Sequence, residues 1–389
     1  MELFKRVYQN LQERRDKILN GGINCVPFGL PRFEEELPGI EQGKMICVTA
    51  NAKVGKTQVA DYLYLFKPVF YAMQHPDKMR VKVFYFSLEM SKEEKYRQLM
   101  CHLLYYISKG KIRIDPKTLS STANALPEEV LEILSSEEYQ QYFKFFEEHV
   151  EYIDSVKNPF GLYKLCREYA KAHGTQHTKF IDIEDNKTHE IKSTEVDDYY
   201  IADDPDEYVI ILVDHLALLS PEKGGDIREA IIKFTSDYAI SLRNKYHYIP
   251  VLIQQQAAAQ ESNDNLKLNK LKPTLDGLGE AKITQRDFNV ILGLFSPFRH
   301  GLREYEGYDI TKFKDNIRFL EIIASREGGG GTVCPLFFDG GVNFFRELPL
   351  PQDKQNMEIA YRMLERSQDK GRLFFMHGIK NKLKHFFNK

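Results

Sequence analysis

The stretch MICVTANAKVGKTQVADYL, residues 45 to 63, governs the reading of the whole chain. Six β-prone residues, MICVTA, run into the loop Ala50-Asn51-Ala52-Lys53-Val54-Gly55-Lys56-Thr57, and helical spacing of apolar residues begins behind it. The loop matches GxxxxGK[ST] except that Ala50 stands where the first glycine is expected. A strand, a tight turn and a helix start aim successive backbone N–H groups at one point, which suits phosphate oxygens. Residues Ala50 through Gly55 are therefore expected to cradle the phosphates of a nucleotide. Lys56 would reach the β- and γ-phosphates, and the Thr57 hydroxyl would ligate Mg²⁺.

Outward from this loop, short apolar runs alternate with helical stretches, the signature of a parallel α/β sheet. The expected strands are 45–50, 81–87, 150–154, 208–214, 249–254, 289–295 and 318–325, with helices over 57–73, 91–109, 159–173 and 226–245. YVIILVD (208–214) is almost continuously Val, Ile and Leu, so it should be buried on both faces and lie in the middle of the sheet. Its last residue, Asp214, sits where open parallel sheets place ligands and is the candidate metal acid. Glu89, just past VFYFS, reads equally as a carboxylate that orients an attacking water and as an acid in the N-terminal region of the helix that follows, where it favours the dipole.

The remaining segments bound the rest of the molecule. Residues 3 to 19 repeat apolar side chains at helical spacing and are stopped by Asn20-Gly21-Gly22, giving an amphipathic helix whose stripe must pack on the body or on a neighbouring subunit. Residues 178 to 207 hold eleven acids against three lysines, and the alternation around Asp185-Asn186 reads as an exposed hairpin insertion. Residues 370 to 389 carry six Lys or Arg and no acid, expected as a solvated basic helix. With 54 basic and 56 acidic side chains in 389 residues the net charge is −2, so any nucleic-acid surface must be local. The five scattered cysteines suggest neither a zinc ribbon nor a disulfide framework. The lack of a long apolar run predicts no membrane partner and a cytoplasmic setting.

Five motifs in one order carry a family resemblance: the P-loop, FSLEMS (86–91), the strand ending in Asp214, IPVLIQQQ (249–256) and REGGGGTV (326–333). Together with the lead-in ERRDKILNGGINCVPFGLPRFEEELPGIEQG, they resemble the ATPase domain of DnaB-type replicative helicases over roughly residues 3 to 346. The resemblance implies a RecA-like P-loop NTPase core with a mainly parallel sheet flanked by helices, plus an N-terminal linker helix and a β-hairpin insertion. It divides the chain into the helix 1–22, an ATPase domain 23–347 with an insertion at about 176–207, and a basic helical extension 348–389. It further implies Glu89 as catalytic carboxylate, Gln256 as γ-phosphate sensor, Asp214 beside Mg²⁺ and Arg326 as an arginine finger given to the adjacent subunit. Single-stranded DNA would meet loops 221–228 and 257–272, the latter through Lys267, Lys270 and Lys272.

Several positions depart from the family pattern. Ala324 stands where a lysine is common, His215 where a tyrosine is, and Gln255 where a serine is; the collar domain that carries primase and loader contacts has no counterpart in this sequence. The expectation is a hexameric ring that hydrolyses ATP, translocates on single-stranded DNA and unwinds forked duplex, with a primase or loader as further partner. A RecA-like filament ATPase and a nucleotide-gated scaffold without turnover stand as alternatives.

Overall fold

The computed structural model describes residues 2–184, 191–257, 265 and 271–368. Thirteen strands occur among them: β1 Ile46–Ala50, β2 Arg80–Ser87, β3 Val150–Ile153, β4 Gly174–Glu184, β5 Ile191–Ala202, β6 Glu207–Asp214, β7 Ile249–Gln255, β8 Val290–Phe295, β9 Glu304–Tyr305, β10 Tyr308–Asp309, β11 Ile317–Ser325, β12 Val333–Asp339 and β13 Phe344–Glu347. Nine form one sheet in the order β13-β12-β11-β8-β1-β7-β6-β2-β3. The strands from β8 to β3 pair parallel, while β11, β12 and β13 add antiparallel at one edge.

The seven expected strands are present within one residue at either end, because strands buried on both faces leave a nearly unbroken apolar run. Their side chains alternate between two cores. Val48, Tyr85, Ile210 and Leu212 face one core with Phe28, Phe66 and Leu103. Cys47, Phe84, Ile211 and Val213 face the other with Leu162, Phe234 and Leu242. One expectation is corrected: β1 is the central strand, whereas β6 lies two places nearer the β3 edge. Continuous apolarity reports cover on both faces, which every interior strand shares.

The helix after the P-loop is continuous from Lys56 to Gln74, with a π turn at Tyr62–Phe66. The stretch expected over 226–245 is likewise built from Ile227–Ile232, a π turn at Lys233–Ala239 and Ile240–Tyr246. Strands β4 and β5 pair antiparallel from Gly174–Ala202 to Glu184–Ile191, largely exposed; the turn at Asp185-Asn186 lies outside the described residues.

The first helix spans Glu2–Leu19 and is tied to the body by ion pairs Arg14–Glu41 and Lys17–Asp206. Its apolar residues Phe4, Val7, Tyr8, Leu11, Ile18 and Leu19 are each more than half exposed, so the body does not cover the stripe. The helix Lys354–Gln368 closes a third core with Phe313, Phe319 and Phe337. The basic segment 370–389 lies outside the described residues. No helix among the described residues is long and apolar enough to cross a membrane.

Candidate nucleotide site

The loop between β1 and its helix turns through two left-handed residues, Lys53 (φ 59°) and Gly55 (φ 106°). At Gly55 that φ favours glycine, and an added Cβ would already meet Phe338 and Gln58 at 3.4 Å. Gly55 precedes the helix without any side-chain cap, which leaves the first N–H groups of the turn facing outward. Two arginines brace the loop from behind. Arg318, 1% exposed, donates from Nε to the Val54 carbonyl at 2.6 Å, and Arg299 donates to the Ala52 carbonyl.

Lys56 is buried, 8% exposed, and makes no ion pair among the described residues. A buried ammonium without a counterion is costly unless an anion is to be met there. Beside it the Thr57 hydroxyl donates to Asp214 Oδ1 at 3.1 Å, joining the two side chains expected at a metal. Asp214 is itself 1% exposed, at the C-terminal end of β6, two strands from β1. The hydroxyl and the carboxylate are the hard oxygen donors that Mg²⁺ takes.

Glu89 sits past the end of β2 on a turn held by two bonds: Leu88 N–H to the Asp214 carbonyl at 2.8 Å and the Ser87 hydroxyl to the Met90 carbonyl at 2.6 Å. Its side chain is half exposed, with His215 Nε2 at 3.8 Å. Burial, and next the Lys56 ammonium, lower the His215 pKa from the ordinary imidazole value, which favours the neutral ring. The following helix, Lys92–Ile107, starts in a capping box between Ser91 and Glu94. The SLEMS run is thus a strand end, a carboxylate-bearing turn and a helix cap in succession.

Gln256 lies one residue past β7, and its N–H donates to the Ala50 carbonyl at 2.9 Å. Its side chain is buried and engaged, donating to Thr49 Oγ1 at 3.0 Å and to the Thr274 carbonyl at 3.1 Å. The structure therefore brings Lys56, Thr57, Asp214, Glu89 and Gln256 to one end of the parallel strands.

Arg326 is at the other end. Ser325 pairs with Val290 and Val290 with Ile46, whereas Ala50 pairs with Leu294. Four strand residues at about 3.3 Å each put Arg326 roughly 13 Å or more from its own P-loop. Its side chain is exposed and donates to the Arg286 carbonyl, ahead of a turn in which Gly328, Gly329 and Gly331 all have positive φ. Of the expected DNA lysines, Lys267 and Lys270 lie outside the described residues. Lys272 pairs with Glu321 at 3.5 Å and lies 5.6 Å from the Tyr305 ring centre.

Residues that the sequence did not single out also build the site. Arg318 reads as one polar interruption in a strand, and Asp61, Tyr85 and Lys95 read as ordinary members of their elements. No periodic signal marks any of them.

No protein-family model and no curated sequence matches the chain. Solved structures do resemble it. One, an isolated ATPase domain, aligns over 90% of this chain and 98% of its own, with a TM-score of 0.58 and 17% identity. A DnaB-like replicative helicase, solved with its interactions with primase, aligns over 88% of this chain with a TM-score of 0.58 and 16% identity. The present chain spans 65% of that helicase's length. At such identities the likeness lies in the backbone, and it agrees with the sheet order and the P-loop geometry above: the chain has the α/β, RecA-like fold of a DnaB-like helicase ATPase domain.

Proposed function

We propose that this chain is an ATP-hydrolysing DNA helicase that acts as a hexameric ring, moves along single-stranded DNA and opens the forked duplex ahead of it. One observation carries the reading: the buried Lys56, without an ion pair among the described residues, lies with Thr57 and Asp214 at one end of the sheet, and the exposed Arg326 lies at the other. A head-to-tail neighbour would bring its Arg326 to this subunit's Lys56, so each interface would hold one complete site.

ATP would supply the transferable phosphoryl group, and Mg²⁺, held by Thr57 and Asp214, the charge that steadies it. The N–H groups of Ala50 through Gly55 would fix the phosphates, and Lys56 would neutralise them. Glu89, open to the interface, would orient water; the neutral His215 beside it lets it act as an unpaired carboxylate. Gln256, tied to Thr49 and Thr274, would pass the state of the site to the segment beyond β7, where Lys267, Lys270 and Lys272 would follow the DNA strand.

In this scheme residues 1–22 are a linker helix docked on a neighbour, 23–347 the ATPase domain and 348–389 a basic extension, with a primase or loader as additional partner in the cytoplasm of a bacterial or phage-infected cell. Strand displacement on forked DNA with ATP and Mg²⁺ tests it. ATP-dependent release of the displaced strand is expected, and ATP turnover without release would refute unwinding.

A further inference from the structure

Behind the phosphate site lies a group of charges that the scheme above leaves without a role. Asp61, one turn after Thr57, is 1% exposed, and Lys95, from the helix following Glu89, is also 1% exposed. They form a buried ion pair, Lys95 Nζ to Asp61 Oδ2 at 2.6 Å. Lys95 donates also to the Tyr85 hydroxyl at 2.8 Å, and the Nδ2 of Asn343 donates to Asp61 Oδ2 at 3.2 Å. The Tyr85 hydroxyl lies between two carboxylates: 2.8 Å from Asp61 Oδ1 and 3.4 Å from Asp214 Oδ2. The other oxygen of Asp214 accepts from Thr57.

A purely structural role explains this group poorly. A buried ion pair contributes little net stability over an apolar pair of similar volume, because desolvation offsets the attraction. This one joins four elements at the site: the P-loop helix, the strand leading to Glu89, the helix after it and the turn between β12 and β13. Tyr85 has one proton to donate. Lys95 already donates to its oxygen, so that proton goes to Asp61 or to Asp214, and the shorter distance is to Asp61.

We propose that Lys95, Asp61 and Tyr85 are positioning residues for Asp214: Lys95 holds Asp61 in place as its ion-pair partner, Asp61 draws the Tyr85 proton, and Asp214 Oδ2 is left free to face the metal shell. The inference rests on reading Asp214 as the metal-side acid. Partners of this kind, one step removed from a metal, commonly govern its affinity by an order of magnitude or more. The network also ties that acid to the strand and helix on either side of Glu89.

The test uses the full chain and a fluorescent ADP analogue, titrated first in EDTA and then with increasing Mg²⁺. Tyr85→Phe keeps the ring, and Asp61→Asn sends the Tyr85 proton to Asp214. Both are expected to bind the analogue in EDTA like wild type; Asp61→Asn should need about tenfold more Mg²⁺ for half-maximal tightening, whereas Tyr85→Phe, with no proton to turn onto Asp214, should keep the wild-type midpoint. The double variant Asp61→Asn/Lys95→Met removes both buried charges, guards against misfolding, and is expected to shift the Mg²⁺ midpoint in the same direction. An unchanged midpoint in folded Asp61→Asn and in the double variant overturns the inference, as do a shift as large in Tyr85→Phe and an equal loss with and without Mg²⁺. Wild-type protein that binds no analogue in either condition overturns the phosphate-site reading and this inference together. Wild-type binding with Asp61→Asn and the double variant both unshifted overturns this inference alone.

Discussion

Lys56 and Arg326 are expected to fail differently when removed, because in the proposed ring one faces the phosphates of its own chain and the other those of a neighbour. Lys56→Ala should abolish binding of a fluorescent nucleotide. Arg326→Ala should leave binding intact and abolish DNA-stimulated phosphate release. Mixed in equal amounts, the two inactive proteins should regain turnover, since roughly a quarter of random head-to-tail contacts join an intact P-loop to an intact arginine. A mixture as inactive as its components would show that the arginine does not act across an interface. His102 gives a second test at this scale. It is fully buried, stacked 3.8 Å from Phe66, with Nδ1 3.0 Å from the Val342 carbonyl; burial holds its pKa down at about 4 against an ordinary 6.5. A depressed imidazole takes up its proton more readily in the unfolded chain. Its contribution is therefore fully present above about pH 6.5 and declines as pH falls toward 4, by about 3 kcal/mol in all. Urea unfolding at pH 7 and pH 5 should register this decline, and His102→Leu should flatten it.

Among the elements, β11 has two duties, with Arg318 near its start and Arg326 just past its end. The Arg318 guanidinium meets the Val54 carbonyl, the Asp315 and Ile317 carbonyls and the Phe338 ring, whose centre is 4.4 Å away. Arg318→Met should cost about 2 to 4 kcal/mol in unfolding free energy, since buried acceptors lose their donor, and should weaken nucleotide binding more than a core substitution of equal cost. A loss of stability without any loss of affinity would show that the P-loop holds its shape unaided. This strand also shows where the sequence was legible. Its apolar run marked it as a strand, and the parallel strands were plain for the same reason. The next strand, β12, was missed because Pro335 sits within it, a residue that argues against an interior strand; Leu348 N–H nevertheless donates to the Pro335 carbonyl at 2.9 Å. The phosphate loop could be read because its chemistry is local to eight residues. Arg318 on Val54 and Lys95 on Asp61 could not, because contacts between residues 264 and 34 positions apart leave no spacing to detect.

For the whole molecule the exposed stripe of the first helix is the decisive surface. Phe4, Val7, Tyr8 and Leu11 lie on one face and stand in solvent, while ion pairs and the Asn24 amide, which donates to the Arg14 carbonyl, hold the latter half of the helix to the body. Phe4→Asp with Leu11→Asp should leave thermal stability of the isolated subunit within about 0.5 kcal/mol, because both side chains are more than half exposed and Phe4 stacks on Tyr8 of the same helix rather than on the body. The same pair should dissociate the assembly, read as a fall in mass by light scattering coupled to size exclusion. An unchanged mass would place the assembly contacts elsewhere.

The separation of Lys56 and Arg326 along the sheet also sets a count. If every complete centre needs both from different molecules, an open row of subunits always has one centre fewer than it has members, with an idle cleft at one end and an idle arginine at the other. Closure turns that deficit into equality. Turnover per subunit, followed from dilute dimers to the full assembly, should then rise from one half toward one, and the concentration at which it levels marks the closing of the circle.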